Sequence, residues 1–176
     1  MSAIREFIPH YTIKDYERWE GRWELINGIA IAMSPMPSPR HQEISGAMTE
    51  ILRQAVKQSA CAHCRVYQPI DYYINNDTII NPDLLIVCKP IEGQYLKFPP
   101  ELVVEILSPS TAIKDKNTKF DIYQNEGVPY YLILDPEQES VDIFQLKNGM
   151  YELTTTNQFQ LEDCTISIDV SQAFII

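Results

Sequence analysis

The sequence predicts an α/β fold with a mixed, partly parallel β-sheet flanked by helices. Residues 102–107 form an apolar run, residues 112–126 a helix, and residues 130–134 a second apolar run. This order is a βαβ unit, whose two strands are parallel and joined by a right-handed crossover. Asn27-Gly28 and the turn at 147–149 each lie between strand-like segments. Both turns contain an Asn-Gly pair, and these residues accept the positive φ of tight turns. The sequence therefore predicts an N-terminal and a C-terminal β-hairpin.

The N-terminal third alternates short elements with one long helix. Thr12 and Asp15 predict a capping box for a short helix at 12–19. Strands at 22–26 and 29–33 form the first hairpin, and the proline-rich residues 34–39 predict a rigid loop. Ser38 then caps a helix with Pro39 at its first position, and apolar residues three and four apart extend this helix to about Lys57.

Two further strands precede the βαβ unit. Residues 64–74 read as one strand with Pro69 at an edge or bend, and residues 78–87 read as the next, with 90–100 as a surface loop. Strands at 141–146 and 150–155 form the second hairpin, and residues 166–176 form a strand end and a short apolar helical tail. We expect residues 1–176 to form a single domain, since this length is typical of one core.

Composition and charge limit the possible functions. The chain is 45% hydrophobic and 22% charged, and it contains no apolar run of membrane-spanning length. We therefore expect a cytoplasmic protein without membrane contact, whose four cysteines are reduced. Cys61 and Cys64 form a C-x-x-C pair that also allows a zinc or redox role. The net charge of −10 means that nucleic-acid binding would need local cations, bound metal or a dimer groove.

An acidic residue inside an apolar strand gives the first functional hypothesis. Glu105 lies within the 102–107 run, where an ionised carboxylate needs a nearby cation. Asp83 heads the apolar run 84–87, and Lys119 follows on the predicted helix. Two carboxylates and a lysine suit Mg²⁺ or Mn²⁺, which activates water against a phosphodiester. We therefore predict Asp83 and Glu105 as metal ligands and Lys119 as the group that assists the water.

Each assignment has a structural alternative. Asp83 could be a turn residue beside Pro82, and Glu105 could form an ion pair with Lys119 or Lys116 that has only a structural role. Lys119 could extend to solvent. Glu24, a further candidate, could simply be a polar position of a half-exposed strand. We predict that Arg40, His41 and Lys116 bind the substrate. Arg40 and His41 lie in the first helical turn, where a cation opposes the helix dipole and suggests another role.

Several motifs together resemble the Uma-type endonuclease family of the PD-(D/E)XK restriction-endonuclease-like superfamily, a family abundant in cyanobacteria. The similarity covers nearly the whole chain. The matching segments are Trp-Glu-Leu-Ile-Asn-Gly at 23–28, Ser-Pro-Arg-His at 38–41, Asn-Pro-Asp at 81–83, Pro-Glu-Leu-Val-Val-Glu-Ile-Leu-Ser-Pro-Ser-Thr at 100–111, Asp115, Lys119, Tyr123, and Gly-Val-Pro-Tyr-Tyr-Leu-Ile-Leu-Asp-Pro at 127–136.

The resemblance implies a restriction-endonuclease-like core with a magnesium-dependent phosphodiesterase site. Asp83 matches the aspartate of the PD half-motif, and Glu105 matches the first acid of the (D/E)XK half. Leu107 stands where the superfamily has its lysine, and Lys119 matches the lysine that this family carries on the following helix. Glu24 matches an additional N-terminal acid, which we assign as catalytic, and His41 matches a recurrent family residue.

The leading functional prediction is a metal-dependent endonuclease that hydrolyses DNA, acting as a homodimer. Two sites in a dimer would serve the two strands of a duplex. Two alternatives remain open. One is an inactive nuclease-like fold that serves as a binding or assembly module. The other is a metal-dependent hydrolase of smaller phosphate esters, which an acidic surface would suit better than duplex DNA.

Overall fold

The computed structural model describes residues 8–33 and 36–175. Residues 34 and 35 of the predicted proline-rich loop lie outside the described residues. The described helices are α1 (Ile13–Tyr16), α2 (Pro39–Gln58) and α3 (Phe120–Glu126), with a π-helical turn (Lys114–Lys119) directly before α3 and a 3-10 helix at Val170–Phe174. The described strands are β1 (Trp23–Ile26), β2 (Ile29–Ala32), β3 (Arg65–Tyr67), β4 (Tyr72–Asn75), β5 (Thr78–Ile80), β6 (Leu84–Val87), β7 (Leu102–Ile106), β8 (Tyr130–Asp135), β9 (Ser140–Lys147), β10 (Met150–Thr154), β11 (Gln158–Leu161) and β12 (Cys164–Ser167).

The described strands form a four-stranded, a six-stranded and a two-stranded sheet. The four-stranded sheet has the order β2-β1-β5-β4, and the six-stranded sheet has the order β10-β9-β8-β7-β6-β3. β7 and β8 are parallel, with Leu102 opposite Tyr130, whereas the other neighbours in the six-stranded sheet run antiparallel. The predicted α/β class, the mixed sheet and the βαβ unit are therefore confirmed.

Both hairpins form where the turn residues predict them. Asn27 and Gly28 have φ values of 50° and 77°, so the β1–β2 turn needs two residues that tolerate positive φ. Asn148 and Gly149 repeat this geometry between β9 and β10, with φ values of 52° and 80°. A further hairpin, β11–β12, was not predicted. The predicted strand end is the end of β12, and the 3-10 helix at Val170–Phe174 lies in the predicted helical tail.

Two predicted strands are corrected by the structure, and both corrections have the same cause. Residues 64–74 split into β3, in the six-stranded sheet, and β4, in the four-stranded sheet. Residues 78–87 split likewise into β5 and β6, with Asn81, Pro82 and Asp83 between them. A proline interrupts each segment because it cannot donate to a strand ladder. Between β3 and β6 the chain therefore crosses twice between the two sheets, and the second of these two crossings carries Asp83.

The six-stranded sheet is covered on both faces. Residues such as Leu84, Val104 and Leu132 pack on one face against α2 and the β11–β12 hairpin. Leu85 and Val103, on the opposite face, pack against the four-stranded sheet and α3. Burial on both faces explains why β6, β7 and β8 are nearly continuous apolar runs. Within β7, the alternation of side chains directs Glu105 to the face that carries the four-stranded sheet.

The helix starts agree with the predicted caps. Thr12 N donates to Asp15 Oδ2 at 2.8 Å, although α1 is shorter than the predicted 12–19 segment. Ser38 Oγ accepts from His41 N at 3.2 Å, which fixes the start of α2 at Pro39. None of the helices in residues 8–33 and 36–175 has the length and apolar character needed to cross a membrane.

The prediction of four reduced cysteines is wrong for this structure. Cys61 is disulfide-bonded to Cys164, and Cys64 to Cys88. The β11–β12 hairpin packs beside the end of α2 and brings Cys164 to Cys61 across 103 positions of sequence. Pairings over such distances depend on tertiary packing, which the local sequence pattern does not contain.

Candidate functional site

The register of β6 and β7 places two carboxylates side by side. Leu84 lies opposite Val104 in this antiparallel pair, so one step further sets Asp83 beside Glu105. Residues directly opposite in antiparallel strands project to the same face. Asp83 Oδ2 accepts a hydrogen bond from Ile106 N at 2.8 Å, which holds the aspartate against the end of β7. Both carboxylates line a cavity of about 930 Å³.

Lys119 connects carboxylates from both large sheets. Its Nζ lies 2.8 Å from Glu105 Oε1, on the six-stranded sheet, and 3.0 Å from Glu24 Oε1, on the four-stranded sheet. It also lies 3.6 Å from Asp115 Oδ1, and its side chain is 3% exposed. Tyr123 Oη donates to Glu105 Oε1 at 2.7 Å. Glu105 is therefore held through one oxygen by an ammonium and a phenol.

Glu24 contacts two further groups although it is fully buried. Lys114 Nζ pairs with its Oε2, and Asn81 N donates to its Oε1 at 3.0 Å. Asn81 O in turn accepts from Lys119 Nζ at 3.3 Å. The crossing segment between the sheets thus uses its backbone to connect Glu24 with Lys119.

This cluster contains more carboxylates than lysines. Burial raises the pKa of Glu105 well above its usual value, which the neighbouring Asp115 and Asp83 reinforce and Lys119 opposes. Burial alone would lower the pKa of Lys119, but the carboxylates, led by Glu105 and Glu24, raise it well above its usual value. The raised pKa keeps Lys119 protonated. The raised pKa of Glu105 means that burial disfavours the ionised form of this carboxyl group. The members are the carboxylates Glu24, Asp83, Glu105 and Asp115 and the lysines Lys114 and Lys119.

Residues 13–169 match the family model Uma2, whose description is “Putative restriction endonuclease”. The chain belongs to the Uma2 family. It is 27% identical over 144 residues to the uncharacterized protein slr1290 of Synechocystis sp. PCC 6803, covering 78% of this chain and 75% of that protein. Its fold is similar to the crystal structure of a “putative nuclease belonging to DUF820” from Anabaena variabilis, with a TM-score of 0.74, 16% identity and coverage of 93% and 97% of the two chains. The prediction of a restriction-endonuclease-like family and fold is confirmed.

Most of the site residues predicted for this Uma2 chain lie together. Asp83, Glu105, Lys119 and Glu24 form the cluster described above. His41 Nε2 lies 3.3 Å from Asp83 Oδ2, so α2 contributes its first turn to the same cavity. Burial lowers the pKa of His41, but the contact with Asp83 outweighs it and leaves the pKa above its usual value.

The two remaining predicted residues lie further out. Arg40 lines the rim of the cavity and pairs with Glu139 at 2.8 Å, so part of its charge is already engaged. Lys116 is exposed and does not line the cavity. The π-helical turn changes the spacing, and Lys114 and Lys119, five residues apart, both reach Glu24. The predicted substrate-binding roles of Arg40, His41 and Lys116 stay predictions.

Sequence reasoning missed Lys114 and gave Asp115 no role in the site. An α-helical period predicts Lys116 on the face of Lys119, whereas the π-helical turn substitutes Lys114. Asp115 is buried, and its Oδ1 accepts no hydrogen bond among the described residues. Its spacing of four from Lys119 was the available signal, since such pairs meet on a helix.

Proposed function

We propose that this Uma2 protein is a Mg²⁺- or Mn²⁺-dependent endonuclease that hydrolyses DNA phosphodiester bonds, with Asp83 and Glu105 as metal ligands. The observation that carries the proposal is that both carboxylates line one cavity of about 930 Å³, where Ile106 N, next to Glu105, donates to Asp83 Oδ2. Lys119 lies directly behind Glu105. This arrangement agrees with the roles that the family resemblance gives to the three residues.

The residues present fit a hard divalent cation. Asp83 and Glu105 offer only oxygen donors, and Mg²⁺ usually binds to one or two carboxylates plus waters and substrate phosphate. Both contacts of Lys119 and Tyr123 with Glu105 go to Oε1, so neither engages Oε2. Asp115 Oδ1 accepts no hydrogen bond within the described part of the chain. An excess of buried carboxylate over lysine favours one more cation at this position.

The metal, when bound, would supply a water of lowered pKa and polarise the phosphate. The chain's own residues would orient the reacting groups. Lys119 fixes Glu105 and Glu24 relative to each other, and we assign it as the cation beside the attacking water. His41 holds Asp83 from the side of α2. Lys114, whose side chain is 18% exposed, is the more accessible cation of the cluster for a phosphate oxygen.

The net charge of −10 repels the phosphates of DNA, so DNA binding needs local positive charge. Local cations supply part of the answer, because Arg22, Arg40 and Lys114 line the same cavity as the carboxylates. Bound metal would add more positive charge at the point where a phosphate enters. We also propose that the protein acts in the cytoplasm as a homodimer, whose two sites cut the two strands of a duplex. Sedimentation analysis of the purified chain would test the dimer.

A plasmid-nicking assay tests the proposed function. Supercoiled plasmid should be nicked with Mg²⁺ or Mn²⁺ and should stay intact with a chelator. Glu105→Gln and Asp83→Asn should both reduce nicking to background, since each removes a metal ligand. Lys97→Ala is the control, because this exposed lysine lies outside the cavity and has no predicted role in the site. Equal nicking by wild type and a correctly folded Glu105→Gln would refute the assignment.

The acidic net charge favours one alternative substrate class, small phosphodiesters. Small phosphodiesters avoid the repulsion between a polyanionic duplex and a chain of net charge −10. Metal-dependent hydrolysis of bis(p-nitrophenyl) phosphate without plasmid nicking would favour that class. Absence of Mg²⁺ and Mn²⁺ binding in calorimetry would instead favour a binding or assembly module.

A further inference from the structure

The four cysteines come together at a point remote from the carboxylate cluster. Cys61 and Cys64 follow the end of α2, Cys88 follows the end of β6, and Cys164 begins β12. All four are buried, with exposures of 0%, 1%, 7% and 7%. We call these four residues the cysteine cluster. Three separate segments of the chain thus supply sulfur to one buried position.

Two triads of donor atoms have the spacing of a metal site, and they share Cys64. The Sγ atoms of Cys61, Cys64 and Cys164 lie within 4.8 Å of one another, and so do Cys64 Sγ, Cys88 Sγ and a ring nitrogen of His63. Zinc bound to four thiolates at about 2.3 Å places neighbouring sulfurs about 3.8 Å apart. Small side-chain movements from the disulfide-bonded arrangement would therefore open a tetrahedral site. The C-x-x-C turn, closed by Cys64 N to Cys61 O at 2.8 Å, supplies two ligands from one loop.

We propose that the cysteine cluster binds one Zn²⁺ when both disulfides are reduced. Each disulfide accepts two electrons and two protons from a dithiol reductant, which becomes a disulfide itself. The four resulting thiols release their protons as Zn²⁺ binds, because only the thiolate is a metal ligand. The chain thus has two closed states, one with two disulfides and one with zinc, and both cross-link the same three segments.

The position of the cluster explains what either state would stabilise. α2 carries His41 in its first turn and ends just before Cys61, about 30 Å away for a helix of this length. β6 begins next to Asp83 and ends next to Cys88. The cysteine cluster therefore joins the far ends of the two elements whose near ends bring His41 to Asp83. Loss of both states would remove the cross-link between the β11–β12 hairpin and the end of α2 and would loosen the alignment of α2 with β6.

Zinc binding by the reduced full-length chain tests this proposal. Protein treated with a dithiol reductant and then dialysed against Zn²⁺ should retain one equivalent of zinc per chain, whereas the oxidised protein should retain none at this cluster. Cobalt substitution should give the absorption of tetrahedral Co²⁺-thiolate. Reduced protein that retains no zinc, or zinc binding that does not depend on reduction, overturns the proposal.

Variants locate the ion. Cys88→Ser and Cys164→Ser should each lose zinc, whereas Asp83→Asn should retain it, which separates this site from the carboxylate cluster. His63→Ala should also retain zinc, and loss in this variant with retention in Cys88→Ser would overturn the four-cysteine assignment. If a serine variant fails to fold, alkylation of reduced wild type followed by mass spectrometry decides. Zinc should protect all four cysteines, and equal alkylation with and without zinc contradicts the proposal.

Discussion

The two ends of α2 and β6 carry opposite kinds of chemistry. At the starting end, His41 and Asp83 meet a cluster of buried carboxylates and lysines. At the finishing end, the cysteine cluster joins the same two elements through uncharged sulfur bonds. The first end holds charges that need one another, so removing one partner costs more than the bond itself. The second end constrains the chain mainly by closing long loops. The comparison separates stability that depends on charge balance from stability that depends on cross-linking.

The largest effect is expected at the charged end. Lys119→Met leaves Glu24, Glu105 and Asp115 without their shared cation, and we expect a loss of about 3–5 kcal/mol in the free energy of unfolding. Chemical denaturation at neutral pH measures it. Lys116→Ala, at an exposed position, should change the free energy by less than about 0.5 kcal/mol. Similar losses in both variants would show that the buried cluster is not a distinct source of stability.

The next effect is expected at the cysteine end. Reduction in the presence of a zinc chelator should cost about 2–5 kcal/mol, because the Cys61–Cys164 bond closes a loop over 103 positions. Hydrogen exchange should rise first in β11 and β12, which this bond ties to the end of α2. Restoration of most of the loss by Zn²⁺ would sharpen the comparison. Unchanged exchange in the hairpin after reduction would contradict it.

A double-mutant cycle should separate the two ends more finely. Glu24→Gln and Lys114→Met remove partners of one ion pair, and we expect a coupling energy of about 0.5–3 kcal/mol between them. The cycle of Glu24→Gln with Cys164→Ser joins sites in separate clusters and should be additive within about 0.5 kcal/mol. Coupling of equal size in both cycles would mean that the two ends do not act independently.

The smallest effects concern the two ends of α2 itself. Ser38→Ala removes the hydroxyl that accepts from His41 N, and a lost helix cap costs about 1 kcal/mol. Ser59→Ala removes a hydroxyl that donates to Val56 O and accepts from Cys61 N. We expect Ser59→Ala to lower the free energy of unfolding by less than Ser38→Ala while the disulfides are intact, and by a larger amount after reduction. Thermal unfolding of both variants, oxidised and reduced, measures the difference. No change in the Ser59→Ala effect on reduction would be the contrary result.

Local patterns were sufficient for much of the fold. The helix cap at Ser38, the Asn27-Gly28 turn and the βαβ unit each have a local physical cause, and each forms where it is predicted. Glu105 was visible as a site residue because a charge inside an apolar strand needs a partner. These inferences required only neighbours in sequence.

The remaining features depend on tertiary structure. Pro82 accounts for the interruption of residues 78–87, but the sheet that each half joins depends on strands distant in sequence. Lys114 takes the position expected for Lys116 because the helix begins with a π-helical turn. The pairing of Cys61 with Cys164 depends on the packing of the β11–β12 hairpin beside α2. In each case the missing information is a contact between segments distant in sequence.

The bridge that Lys119 makes between Glu24 and Glu105 joins the two large layers of the molecule by charge. If the four-stranded layer slid against the six-stranded layer by a few ångströms, both ammonium contacts could not survive together. The two ion pairs of Lys119 therefore break together with the alignment of Glu24 and Glu105. A ligand that demanded such a slip would have to bring enough positive charge to replace that of Lys119.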